Sequence, residues 1–218
     1  MAFARRLRDA WRHRGGRWAP LFGRAPAGEW VAIDLETSSL DVASAQILSL
    51  AAIPVAGRRA LTSQALRLHV RSAAAPDREA IKHHRLRPQD LEGGAELTVA
   101  LERLLEAIGP RPLLGWCLPF DRAILDRELR PRFDLCLPNP GIDLRDAWER
   151  HARRRWPDRE PALALDAIAA ALGVPVLDRH DAYGDALTTA LCWIALESLP
   201  RRVRFASGCR GDDPAGDA

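Results

Sequence analysis

The 218-residue chain is predicted to form an α/β fold, a mixed sheet covered by helices. Three apolar, strand-like segments follow one another in the first third, separated by turn signals. Helical segments then alternate with a short apolar strand. With 47% hydrophobic residues the chain can also build one sizeable core.

The elements follow in order. Residues 2–14 have the periodicity of a basic amphipathic helix, with Phe3, Leu7, Ala10 and Trp11 on one stripe. The Gly/Pro-rich stretch 15–28 reads as a linker or docking arm. Trp30–Leu35 is a strand apolar enough to lie inside a sheet. Gln46–Val55 and Gln64–Val70 read as two more strands around a turn at Gly57, an antiparallel start. Leu97–Ile108 is a helix stopped by Gly109-Pro110. Pro112–Trp116 is a short strand, Asp121–Leu129 a helix and 132–140 a proline-punctuated loop. Leu163–Leu172 is an alanine-rich helix closed by Gly173, and Asp181–Leu199 a longer one stopped by Pro200. The expected organisation is a basic arm over 1–28, one domain over 29–200 and a disordered acidic tail over 201–218.

Charge points weakly to an anionic partner. The net charge is only +3. Arg5, Arg6, Arg8, Arg12, Arg14, Arg17 and Arg24 nevertheless face the single acid Asp9 in the arm. Its tryptophans and Phe22 argue for docking on the domain or on a protein partner, since disordered segments are usually poor in aromatics. Cys117, Cys136, Cys192 and Cys209 include no C-x-x-C pair, so neither a zinc site nor a disulfide framework is indicated. No apolar run approaches the roughly 20 residues of a membrane span. The start lacks a secretory apolar core. A cytoplasmic protein without a membrane partner is expected.

Five residues carry the chemistry. Asp34 and Glu36 lie two apart in the first strand, on one face and about 6.6 Å apart along it. Asp121 opens a helix after a short strand, where open α/β sheets place ligand sites. His180 and Asp185 flank the first turn of the last long helix. Each piece alone has a plainer reading. A D-x-E pair is commonly solvated or salt-bridged, Asp121 and Asp181 suit helix N-caps, and a lone histidine in a loop is usually a surface residue. Together, four carboxylates and an imidazole supply what two-metal phosphodiester hydrolysis needs, namely oxygen ligands and a base. The stretch 145–160 interleaves Trp148 and Trp156 with arginines. It suits a phosphate-tracking groove, but the spacing from Leu144 to Trp148 favours an amphipathic helix with its tryptophans in the core.

The order D-x-E, F-D-x-x-x-L, H-x-A-x-x-D-A resembles that of the DEDDh exonucleases, over about residues 30–199. That resemblance implies a ribonuclease H-like mixed five-stranded sheet flanked by helices. AIDLETSSLD looks like the first motif, with Thr37 as a substrate contact. DREAIKHHRLRPQDL resembles the segment whose histidine reaches substrate in proofreading subunits, which places His84 there. A histidine five residues before the last aspartate marks the histidine branch. LLGWCLPFDRAIL and the last two helices are similar to bacterial stand-alone relatives of the DNA polymerase III epsilon subunit. Trp116-Cys117 stands where His-Asn is usual, and Arg85 where a small residue follows the histidine. Both departures bear on how a strand is held.

The resemblance implies two Mg²⁺ or Mn²⁺ ions on Asp34, Glu36, Asp121 and Asp185, with His180 as general base. The reaction expected is 3′→5′ hydrolysis of single-stranded DNA to nucleoside 5′-monophosphates. RNA or oligoribonucleotide trimming on the same fold, or a noncatalytic nucleic-acid-binding module, are the alternatives.

Overall fold

Strand β1 (Glu29–Thr37) and strand β2 (Ile47–Ala56) form the centre of the sheet. The apolar run of β2 is buried from Ile47 to Val55, the pattern of a strand covered on both faces. The two pair antiparallel from Glu29 opposite Ala56 to Glu36 opposite Ser49, and the register then shifts before Thr37 meets Ile47. The computed structural model describes residues 2–71 and 86–199. His84, Arg85, Cys209 and the tail 201–218 lie outside the described residues.

Two short strands share the outer edge of β2. Strand β3 (Arg59–Ala60) pairs with Val55 and Ala56, and β4 (Leu66–His69) pairs with Ser49 to Ala52. A 3-10 turn at Thr62–Gln64 separates them and takes the start of the strand expected from Gln64. On the other side, β5 (Leu113–Gly115) runs parallel to β1, and β6 (Gly141–Asp143) runs parallel to β5. The sheet thus has five ranks, β3 and β4 together forming the outermost. Strand β6 was not read from the sequence, because Ile142 is its single apolar side chain.

Among the described residues the longer helices are α1 (Ala2–Arg12), α2 (Leu97–Ile108), α3 (Leu118–Phe133), α4 (Leu144–Arg155), α5 (Leu165–Leu172) and α6 (Ala182–Ser198), with one further turn of helix at Pro88–Leu91. Alternation along β1 sorts them. Val31, Ile33 and Leu35 point into the larger core, with Leu101, Leu104 and Leu105 of α2 and Ile124, Leu125 and Leu129 of α3. Ala32 packs on the opposite face with Trp148 of α4, Ile168 of α5 and Trp193 of α6. Trp30 lies edge-on to Trp193, ring centroids 5.9 Å apart. The even-numbered row therefore faces α6, and Asp34 and Glu36 extend that row. Each large apolar side chain buried this way contributes about 1.5–3 kcal/mol.

Helix α6 comes close because Gly184, Ala186, Thr188, Thr189 and Ala190, all buried, are small. Between α3 and β6, the loop is held by charge. Arg122 donates to the carbonyl oxygens of Leu137 and Asn139, and the Asp126 carboxylate accepts from the Leu137 amide at 2.7 Å.

The segment before β1 contributes to the main core. Trp18 and Leu21 are buried in it, and Trp18 meets Phe133 edge-on at 5.4 Å. Arg17 bridges Glu102 at 2.8 Å and Glu106 at 2.7 Å, and Arg12 pairs with Asp134. Leu7 and Trp11 of α1 point to solvent, 56% and 78% exposed.

Candidate active site

The C-terminal end of β1 carries Asp34 and Glu36 out of the apolar core toward the start of α6. Asp185, in the first turn of α6, meets them. Ligand oxygens of Asp34, Glu36 and Asp185 all lie within 4.8 Å of one another. Asp121 stands beside this trio in the first turn of α3, 5% exposed. It lies close enough to act electrostatically on Asp34, and Glu36 on it in turn.

The segment before α6 is held by its sequence. Asp181 caps the helix, its carboxylate accepting from the Gly184 amide at 3.2 Å. The Thr188 hydroxyl accepts from the Leu177 amide at 3.2 Å and donates to the Gly184 carbonyl at 2.8 Å. A Cβ on Gly184 would collide with the carbonyl oxygens of Leu177 and Asp178. To pass this point the chain puts Asp178 at φ 37° and His180 at φ 65°. These left-handed angles are uncommon outside glycine. Arg179 is thereby turned toward the acids. Its guanidinium donates to Asp185, and its Nε lies 2.5 Å from Asp166 in the first turn of α5. The His180 amide donates to Asp185 Oδ2 at 3.3 Å.

Burial and like charge dominate the electrostatics. Asp34 is raised well above the ordinary carboxylate range by burial, then by Asp121, Glu36 and Asp185, with Arg179 opposing. Asp121 is raised by burial, Glu36 and Asp143. Glu36 rises from 4.5 to about 8 through burial, Asp185 and Asp181, again against Arg179. Asp185 is raised by burial and lowered by Arg179. Such a cluster favours a cation.

The donor set fits a hard divalent ion. All its ligand atoms are carboxylate oxygens, and oxygens around one octahedral Mg²⁺ stand about 3–4 Å apart, inside the 4.8 Å spread of this trio. Asp185 Oδ1 is buried without a hydrogen-bond partner. An orphaned carboxylate oxygen of this kind calls for an explanation such as an ion.

Of the other residues singled out in the sequence, His180 lies beside Asp185, partly buried. Thr37 is buried next to Glu36 and its hydroxyl donates to the Ser39 carbonyl at 2.8 Å. Trp116 donates to the Leu163 carbonyl at 2.9 Å, which ties β5 to the segment before α5. Cys117 caps α3 in the left-handed region, φ 58°. Asparagine tolerates that region better than most residues. Trp148 is buried, as its spacing from Leu144 implied, but Trp156 is 39% exposed with Arg155 over its ring. The expectation that both tryptophans face the core therefore fails at Trp156, which lies just past the end of α4. Arg179, Asp166 and Asp143 were not recognised from the sequence. The signal was present for Arg179 alone, a cation adjoining the His180–Asp185 pair.

The Exonuclease family model (RNase_T) matches residues 31–192. Among curated proteins none is significantly similar in sequence. Exonuclease I of E. coli in complex with a dA16 oligonucleotide superposes with a TM-score of 0.68 at 18% identity, covering 78% of this chain and 41% of that one. Exonuclease I from Methylocaldum szegediense gives 0.66 at 19%, covering 78% and 40%. Cell-death related nuclease 4 gives 0.68 at 12%, covering 79% and 64%. The chain thus spans about two fifths of the exonuclease I chains, and the likeness is one of fold, the ribonuclease H-like exonuclease fold.

Proposed function

Since the chain belongs to the exonuclease family, whose members are metal-dependent nucleases, we propose that it removes nucleotides from the 3′ end of single-stranded DNA, releasing nucleoside 5′-monophosphates. The observation that carries the reading is the convergence of Asp34, Glu36 and Asp185, with Asp121 beside them and one buried carboxylate oxygen unpartnered. The choice of single-stranded DNA takes its support from exonuclease I, which was crystallised with dA16 and with dT13.

In this reading the four carboxylates hold two Mg²⁺ or Mn²⁺ ions. Bound divalent ions lower the pKa of water and stabilise the leaving 3′-oxygen. His180, at the start of α6, accepts the proton of the attacking water, the part played by the histidine of the DEDDh branch. Thr37 and His84 contact the terminal nucleotide. The basic arm offers a site for a protein partner.

The test uses 5′-labelled DNA and RNA oligonucleotides with Mn²⁺. Stepwise shortening of DNA by the wild type, lost in Asp34→Ala and Asp185→Ala, is expected. Activity undiminished in either variant overturns the site. Preferential shortening of RNA replaces the substrate, and binding without shortening replaces the enzyme by a binding module. His180→Asn should lower the rate by about 10²–10⁴-fold, the usual share of general-base catalysis.

A further inference from the structure

We propose that Arg179 is a resident counter-ion of the site: it holds Asp185 while no metal is bound, and a divalent cation takes Asp185 only by displacing the guanidinium onto Asp166. The inference rests on the reading of Asp185 as a metal ligand.

Arg179 touches two carboxylates of unlike character. Asp185 is 10% exposed at its side chain, and Asp166 is 62% exposed. The guanidinium donates to Asp185, while its Nε lies 2.5 Å from Asp166 without a hydrogen bond to it, so Asp166 is a second charged partner within reach. Asp185 Oδ2 takes the guanidinium and the His180 amide, whereas Oδ1 is unpartnered. A cation drawn to Oδ1 and to the oxygens of Asp34 and Glu36 arrives beside a like charge, and one of the two must yield.

Only the side chain has freedom to do so. The backbone is held before Arg179 by Leu177 on Thr188, and after it by His180 on Asp185 and Asp181 on Gly184. Gly184 leaves no room for the segment to sink further onto α6. Rotation toward Asp166 keeps one charged partner throughout and leaves Asp185 to the metal. Arg179 opposes the rise at Asp34, Glu36 and Asp185, joined at Asp185 by His180.

The experiment is a Mn²⁺ titration followed by electron paramagnetic resonance of the free ion, on wild type, Arg179→Gln, Asp166→Asn and the double variant. Losing a charge-assisted bond that competes with the metal should tighten Mn²⁺ binding in Arg179→Gln by on the order of tenfold. Asp166→Asn should weaken it several-fold, because the displaced arginine loses its second partner, and this effect should vanish in the double variant. Melting temperatures separate this role from a structural brace. Arg179→Gln should melt lower than wild type in chelator and level with it in saturating Mn²⁺. Unchanged or weaker binding by Arg179→Gln overturns the proposal, as does an Asp166→Asn effect that persists without Arg179. A lower melting temperature at saturating Mn²⁺ overturns it too. If the wild type binds no Mn²⁺, the metal reading itself falls; if it binds and Arg179→Gln matches it, only the counter-ion role falls.

Discussion

Replacing Glu36 by glutamine should stabilise the metal-free protein, and only above the ordinary carboxylate range. Burial first, then Asp185 and Asp181, raise this carboxyl from 4.5 to about 8. A group raised on folding contributes its full stability below its unfolded value and loses it as pH climbs through the folded one. The metal-free wild type should therefore weaken from about pH 4.5 and level off above about pH 8. Each pH unit costs about 1.4 kcal/mol, so two and a half of them bring the cost at pH 7 to about 3 kcal/mol. A glutamine left without partners returns about 1 kcal/mol. The net gain is about 2 kcal/mol at pH 7, or roughly 4–8 °C in Tm for a chain of this size, with none at pH 4. Thermal denaturation in chelator from pH 4 to 9 reads this directly. A gap between variant and wild type that stays constant with pH, or a wild type firmer at pH 8 than at pH 5, would refute the electrostatic account. Saturating Mn²⁺ should reverse the order, because the wild type gains a ligand energy that the variant forfeits.

Other expectations concern packing and backbone. Trp18→Ala removes a buried ring that meets Phe133 and should cost about 3–5 kcal/mol in urea denaturation. A loss below about 1 kcal/mol would make the segment before β1 a bystander. Gly184→Ala forces a methyl against two backbone carbonyls and should cost at least about 2 kcal/mol. It should also weaken Mn²⁺ binding by displacing the first turn of α6, which carries Asp185 next to Gly184. Unaltered stability would show that the contact is not tight. Cys117→Asn relieves a left-handed residue at φ 58° and should raise stability by about 1 kcal/mol, with a lower midpoint counting against it.

Where a signal was periodic or local, the sequence could be read closely. Helix α2 lies where Ala100, Leu101, Leu104, Leu105 and Ile108 made a stripe ended by Gly109-Pro110. Asp34 and Glu36 fell on the same face because strand alternation admits no other outcome while the register holds. Strands β3 and β6 escaped notice because two or three residues carry no periodicity, and their place is set by the neighbours they pair with. The approach of Arg179 to Asp185 was hidden for a different reason. It depends on left-handed angles at Asp178 and His180, and neither residue announces such an angle as glycine does. Trp156 shows the limit of spacing arguments, since a side chain past the end of a helix no longer follows the helix's face.

The order in which the sheet is assembled has a consequence for a chain still being made. Strands β1 and β2 are adjacent in sequence, joined by residues 38–46, and pair along nearly their whole length, so their association closes a smaller loop than any other pairing of β1. Two of the four acids are then in place on a hairpin. Asp121 and Asp185 arrive from far down the chain, on helices that follow β5, the strand that pairs with β1. Contacts of such long sequence separation form late. A nascent chain would therefore carry half of its acid cluster until α6 is seated, so completing the fold also completes the site proposed above.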